Sequence, residues 1–504
     1  MGGWTDLVLA ALLILVIGGL LRPLLIWGAV RIGWVATVAV GLFGQTLVIW
    51  LVLSNEDTSV AAAFWGSWVV VSISTLFVWV ATAGTDDTVI VPLLRRARRR
   101  PHEVADPEVP GVLFVQADGV PFPVLDWGVR AGTLPTLSRW IRAGSHRMVE
   151  WRPRLPATTP ASQLGILHGT IEGVPAFRWY DRAEQRVYVA NKPADAALIE
   201  AKASDGRGLL ADDGVSVSNL FTGDAVTAYA TMSAISRTRE DVHTRSALMR
   251  YAAAPTGMAR SMTRAISEIV RERFQRAGAR RRDVRPRVTR GWAFAFERAA
   301  LLGPIRDLST HLVGEALLDG RRSIYVDLVD YDAVAHHVGI MQPEALSALE
   351  GIDRVLGQLE RVAAVAPRPY HLVVLSDHGQ SQGEVFADRY GEDLGSLVTR
   401  LAGTAVEHSE YNAEATGTIG ALVAESTNSD SMVGRSMRRG ADHLGDRVES
   451  EVASDGAVPQ AGSELMVFGS GNLGLVFVTG EKEQLTLEEL ALRYPVLVDG
   501  LVAH

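Results

Sequence analysis

With 504 residues the chain is long enough for one large domain and a further segment, and its net charge of −8 gives no reason to expect a nucleic-acid polymer as partner. Its positive charge is concentrated in two Arg-rich stretches and is not spread over a face. The absence of cysteine excludes disulfides, zinc–thiolate sites and a thiol nucleophile.

Residues 1–86 read as an α-helical transmembrane anchor. The runs "LVLAALLILVIGGLLRPLLIWGAV", "IGWVATVAVGLFGQTLVIWLVL" and "VAAAFWGSWVVVSISTLFVWVATA" are each long enough to cross a bilayer, which gives about three spans. A cleaved signal peptide is the competing reading of the first run, but a basic n-region is lacking and two more apolar runs follow. The loop "SNEDTS" is acidic, whereas "LLRRARRR" follows the third run. The positive-inside rule therefore predicts a multi-pass protein of the cell membrane with everything after that cluster in the cytoplasm. Residues 87–110 read as a basic juxtamembrane linker that ends in the polar, Pro-flanked "PHEVADPEVP".

Residues 111–504 alternate strand-like and helix-like patterns, which predicts an α/β domain with a mainly parallel sheet flanked by helices. "GVLFVQADG" reads as a buried strand ending at Asp118, and "TLPTLSRWIRAG" as a helix closed by Gly144. "SIYVDLVDYD" and "PYHLVVLSDHG" repeat that grammar around the helical "PEALSALEGIDRVLGQLERVAAVA". Each apolar run ends in an acidic residue, and in such sheets ligands bind at the carboxyl ends of strands. Residues 181–322 are less regular and read as an insertion or cap. Within them lies the second basic stretch, 260–290, which is either a solvated face or a contact with anionic lipid headgroups of the bilayer. "ELMVFGSGNLGLVFVTG" reads as a late strand.

Four of these junctions offer oxygen and nitrogen ligands. Asp118 follows the first strand. Thr158 and Thr159 lie in "RLPATTPASQLGILHG", bracketed by Pro156 and Pro160 ahead of a helix, where a hydroxyl is either a cap or a nucleophile facing a phosphate. Asp332 and His336 in "YDAVAHHVG" are four residues apart, so one helix face carries both. Asp377 and His378 end the strand "YHLVVL". Carboxylates and imidazoles together suit zinc first and manganese second, and two such divalent ions side by side serve phosphoryl transfer. Phe177, Trp179 and Tyr180, in "IEGVPAFRWYDR", either stack on a substrate base or pack the cap onto the core.

The order Asp, Thr before a helix, Asp-x-x-x-His, Asp-His-Gly resembles the alkaline phosphatase superfamily, in particular its type I phosphodiesterase and nucleotide pyrophosphatase branch. That resemblance runs from about Val112 to Gly383. It implies a metal-dependent phosphohydrolase with Thr159 as nucleophile and Thr158 as the alternative. Asp118, Thr159, Asp377 and His378 would hold one metal, and Asp332 and His336 the other. Two departures stand out: Ala335 replaces the family's glycine, and no late histidine in a Gly-x-His-Gly context completes the second metal, so the chain reads as one that stops before its last ligand. The N-terminal runs are loosely similar to phage holin family 4. A phosphoglycerol- or phosphoethanolamine-type transferase acting on lipid headgroups is the nearest enzymatic alternative, and a holin-like scaffold with an incomplete metal site the nearest non-enzymatic one.

Overall fold

The computed structural model describes residues 89–99, 104, 106–235, 251, 255–285, 290–404, 406–410 and 464–504. Its centre is a five-stranded parallel sheet in the order β5-β4-β6-β1-β7. The strands are β1 (Gly111–Ala117), β4 (Val215–Val217), β5 (Thr227–Tyr229), β6 (Ser323–Leu328) and β7 (Tyr370–Leu375). β1 is an interior strand, paired with β6 on one side and β7 on the other, and both of its faces are apolar enough to bury. Leu113, Val115 and Ala117 enter the larger core with Ile324, Val326 and the helices behind them, and Phe114 joins the second core beside Tyr325. The register Gln116↔Asp327 and Gln116↔Leu375 brings the carboxyl ends of β6, β1 and β7 level with one another.

The helix Pro343–Ala363 buries Ala345, Ala348, Leu349, Ile352, Val355, Leu356 and Leu359, a three- and four-residue spacing that makes one apolar face. On that face lies Asp353, whose carboxylate accepts from the amides of Thr136 and Leu137, both at 2.9 Å. It thereby satisfies two free N–H groups at the start of the helix Pro135–Arg142, which has no cap of its own. Replacing Asp353 by alanine strands one buried and one partly buried donor and is expected to cost about 2 kcal/mol, read as a lower denaturation midpoint with unchanged m-value.

Three sequence expectations are altered. Residues 89–99 are not a free linker: Val91–Arg99 is a helix whose Leu93, with the neighbouring Ile90, enters the core, while Arg96 pairs with Glu315 and Asp319. Residues 181–322 are not one cap, because β4 and β5 belong to the central sheet; their short apolar runs are strand-like but too brief to stand out from the surrounding Gly and Asp. The late strand is a hairpin, β9 (Leu465–Ser470) and β10 (Leu473–Val478), which turns at Gly471, a residue at φ +56°. β9 also pairs with β8 (Val406–Glu410) to form a second sheet. Phe177, Trp179 and Tyr180 are buried at or beside the small hairpin β2 (Arg178–Asp181) and β3 (Arg186–Val189), with Trp179 stacked on Tyr188 and Tyr180 against Phe477. They pack and present no free ring face to a base.

Among the described residues no helix is long and apolar enough to cross a membrane. The three spans and the holin-like segment read from residues 1–86 lie outside the described residues.

Candidate functional site

The carboxyl ends of β1 and β7 place Asp118 and Asp377 side by side, each two residues beyond the paired Gln116 and Leu375. Asp118 is 3% exposed and Asp377 fully buried. Gly119 makes this proximity workable: it adopts φ +64°, its amide donates to Asp377 Oδ1 at 3.4 Å, and a Cβ there would lie 1.9 Å from Asp332 Oδ1. The backbone is therefore in contact with the Asp332 side chain, which comes from the helix that follows β6.

Asp332 and His336 project from the helix Asp330–Val338, one turn apart, with His336 Nε2 3.2 Å from Asp332 Oδ2. Arg306 anchors the start of that helix through Asp330 at 2.5 Å. The Gln380 amide donates to both the side chain and the backbone carbonyl of Asp332. Gln380, just past "SDHG", had no role in the sequence reading, since nothing in its spacing marks it. Its loss should let Asp332 swing, and Gln380→Ala is expected to weaken metal affinity about 10- to 100-fold by titration calorimetry.

His378 is the meeting point. Its Nε2 lies 3.0 Å from Thr159 Oγ1 and 3.6 Å from both Asp118 Oδ1 and Asp377 Oδ2. Its Nδ1 faces the Gly379 carbonyl at 3.2 Å, a contact that requires the proton on Nδ1 and leaves the Nε2 lone pair toward the carboxylates. Thr159 opens the helix Thr159–His168, whose N-cap Thr158 makes no capping hydrogen bond. The Thr158 hydroxyl is buried without a hydrogen-bond partner and is not brought to His378. Pro160 at the start of the helix and Gly169, at φ +77° after it, delimit the segment. Trp151 supports the β7 end from outside by donating its indole N–H to the Ser376 carbonyl at 3.0 Å.

Beneath this layer lies a polar floor that sequence reasoning missed. Gln163, one turn after Thr159, donates to Asp327 Oδ2 at 3.1 Å and to Gln116 Oε1 at 3.4 Å, and Tyr325 donates to Gln116 at 2.6 Å. These residues look like ordinary strand and helix positions in sequence, and only the parallel register stacks them. His146 and His168 serve elsewhere: one stacks on Trp140, the other pairs with Glu200.

Electrostatically the site is a concentration of buried negative charge. Asp118 is pushed well above the ordinary carboxylate range by burial, then by Asp377, Asp327 and Asp332. Asp327 is pushed up likewise, by burial and then by Asp377 and Asp332. Burial pushes Asp332 the same way, but His336 beside it, with His378 and Gln380, holds it below the usual range. Asp118 Oδ1 and Asp377 Oδ2 accept no hydrogen bond. Buried carboxylates with idle oxygens are costly unless a cation neutralises them, so this donor set fits a divalent ion. Asp118, Asp332 and His378 each present a ligand atom, all within 4.8 Å of one another. That group draws on both of the metal sets implied by the resemblance, so the two sets are contiguous.

Among the described late side chains no histidine joins them. His504 lies 3.8 Å from Glu392 with its ring tilted against Tyr390, and His443 and the side chain of His408 fall outside the description. Ala335, in the place of the family's glycine, is buried in the core.

No curated protein matches the chain. The profile of the type I phosphodiesterase / nucleotide pyrophosphatase family matches residues 112–457, more than half of the chain and all of the strand ends just described. On that match the chain belongs to the type I phosphodiesterase / nucleotide pyrophosphatase family and is a phosphoric ester hydrolase.

Proposed function

We propose that the chain is a membrane-anchored phosphodiesterase that uses Thr159 as nucleophile. The observation that carries this reading is the Thr159 hydroxyl at 3.0 Å from His378 Nε2, at a helix N-terminus without a side-chain cap and beside buried, idle carboxylate oxygens. A phosphate anion entering here meets the free amides and the positive end of the helix dipole. Thr159 Oγ forms a bond to phosphorus while the bond from phosphorus to the leaving oxygen breaks. The hydroxyl proton passes to solvent and the leaving oxygen takes one up. Water then displaces Thr159 from phosphorus and restores the hydroxyl.

Asp118, Thr159, Asp377 and His378 would hold one divalent ion and Asp332 and His336 another, zinc before manganese by the chemistry of the donors. When bound, such ions neutralise the carboxylates and stabilise charge that develops on the phosphoryl oxygens. The chain's own residues orient the reaction. Gly119 and Gln380 hold Asp377 and Asp332 in place, and Asp327 holds Gln163 and with it the helix that carries Thr159.

The anchor is residues 1–86, with the catalytic domain on the cytoplasmic side by the charge of the flanking loops. A transferase acting on lipid headgroups would normally face outward, so the topology separates the two readings. Hydrolysis of bis-(p-nitrophenyl) phosphate beside p-nitrophenyl phosphate, after metal stripping and readdition of zinc or manganese, tests the proposal. Faster diester turnover that depends on metal supports it. Equal or faster monoester turnover makes the chain a phosphatase, and no turnover of either favours a catalytically incomplete scaffold.

A further inference from the structure

The helix Pro255–Arg281 is oriented opposite to the usual pattern. Its inward face is charged. Glu272 accepts from Arg290 at 2.7 and 2.8 Å and from Arg298 at 2.8 Å, Glu268 accepts from Arg298 at 2.8 Å, and Ser261 and Arg264 both donate to Asp307. Glu268 and Glu272 are the helix's two acidic residues, and both are buried.

The outward face is apolar. Ile266, Val270 and Phe274, four residues apart, are 63%, 50% and 76% exposed. The adjoining helix Trp292–Ala300 adds Trp292 and Phe296, both 57% exposed, with ring centroids 6.1 Å apart. Arg273 lays its guanidinium 4.2 Å over Trp292 and joins the two helices' exposed side chains into one surface. Arg280, Arg281 and Arg282 stand exposed at the end of the long helix, which carries no outward acid. A soluble surface helix reverses this arrangement, with charge outside and apolar residues inside.

Charge decides what covers this face. Apolar side chains with Trp and Phe at the edge and a cationic rim are the composition of a helix that lies in the headgroup layer of an anionic membrane. Reach allows it. The last apolar run ends at Ala83, and Ile90 is already buried in the domain's core, so the intervening chain holds the domain within about 25 Å of the bilayer surface. We propose that the face formed by Ile266, Val270, Phe274, Trp292 and Phe296 docks on an anionic lipid bilayer, the membrane in which residues 1–86 are anchored. This docking rests on the anchor reading given above. It also bears on the site, because Phe294 of the same helix stacks at 4.1 Å on His337, next to His336.

The cysteine-free sequence allows a direct test on the full chain. Phe274→Cys and, as a second probe, Val270→Cys are spin-labelled and reconstituted in vesicles of phosphatidylcholine with one quarter phosphatidylglycerol. Leu492→Cys, at a position 82% exposed on another part of the fold, is the reference. Docking makes collisions with oxygen exceed those with a water-soluble nickel chelate at positions 274 and 270, with the opposite ratio at 492. In vesicles without phosphatidylglycerol the ratio at 274 and 270 shifts toward that at 492. The proposal is overturned if 274 and 270 behave like 492 in the anionic vesicles. It is also overturned if both reagents are excluded, which means that protein, from this chain or a second copy, covers the face. Release of the chain from the vesicles by alkaline carbonate would instead reject the anchor reading, a result the spin labels do not produce.

Discussion

Thr159→Ala should lower turnover of a phosphodiester by about four orders of magnitude, because it removes the atom that attacks phosphorus and leaves only binding and electrostatic stabilisation. Thr158→Ala should change it by less than about tenfold, since the Thr158 hydroxyl makes no hydrogen bond and the helix gains no cap from it. The two threonines are adjacent in sequence but differ in what they face, and only Thr159 lies against His378. Single-turnover kinetics with a chromogenic diester, run beside calorimetric metal titration, read both effects. Near-normal metal binding in Thr159→Ala with turnover gone marks the nucleophile. The reverse pattern, with Thr158→Ala silent and Thr159→Ala active, would transfer the role to Thr158.

Removing the metal should destabilise the fold and invert the way its stability depends on pH. In the metal-free chain Asp118 and Asp327 are pushed above the value of about 3.9 that an aspartate has when unfolded, by burial first and by the Asp377 carboxylate second. A group whose folded pKa is raised contributes stability that is fully present below its unfolded pKa and is lost as pH rises through the folded one. Asp118 and Asp327 should therefore make the stripped protein less stable as pH rises from about 5 to 8, a window in which Asp332, held low, is ionised in both the folded and the unfolded state and adds no slope. A bound divalent ion keeps the carboxylates ionised in the folded state, so the holoprotein should lose stability in the opposite direction, as acid displaces the ion. At a thousandfold excess over Kd the ion contributes about 4 kcal/mol. Denaturant melts of stripped and zinc-loaded protein between pH 5 and 8 check both the sign and the size. Curves that coincide at every pH would mean that no ion is bound to this cluster.

Much of the site was legible because its ligands follow strand ends and helix starts, where hydrophobic runs stop abruptly. Asp118, Asp377 and His378 mark the ends of β1 and β7, and Asp332 and His336 share a helix face by spacing alone. Gln116, Gln163, Asp327 and Gln380 were not legible. Each is a polar residue inside or just past an ordinary element, and its partner is 47 to 164 positions away in the sequence for the Gln163 contacts. Such pairs exist only once the parallel register is formed.

The amino-acid sequence by itself determined the alternation of strands and helices, the order of the ligands and the family resemblance, since each depends on local periodicity and short spacing. Tertiary structure alone decided which threonine faces His378, that residues 89–99 dock on the core, and that β4 and β5 extend the main sheet. It also decided which way the helix Pro255–Arg281 turns. Periodicity shows that this helix has an apolar and a charged face, but not which of them is buried. The buried Arg290 and Arg298, distant from the glutamates in sequence, pair with Glu268 and Glu272 and draw the charged face inward.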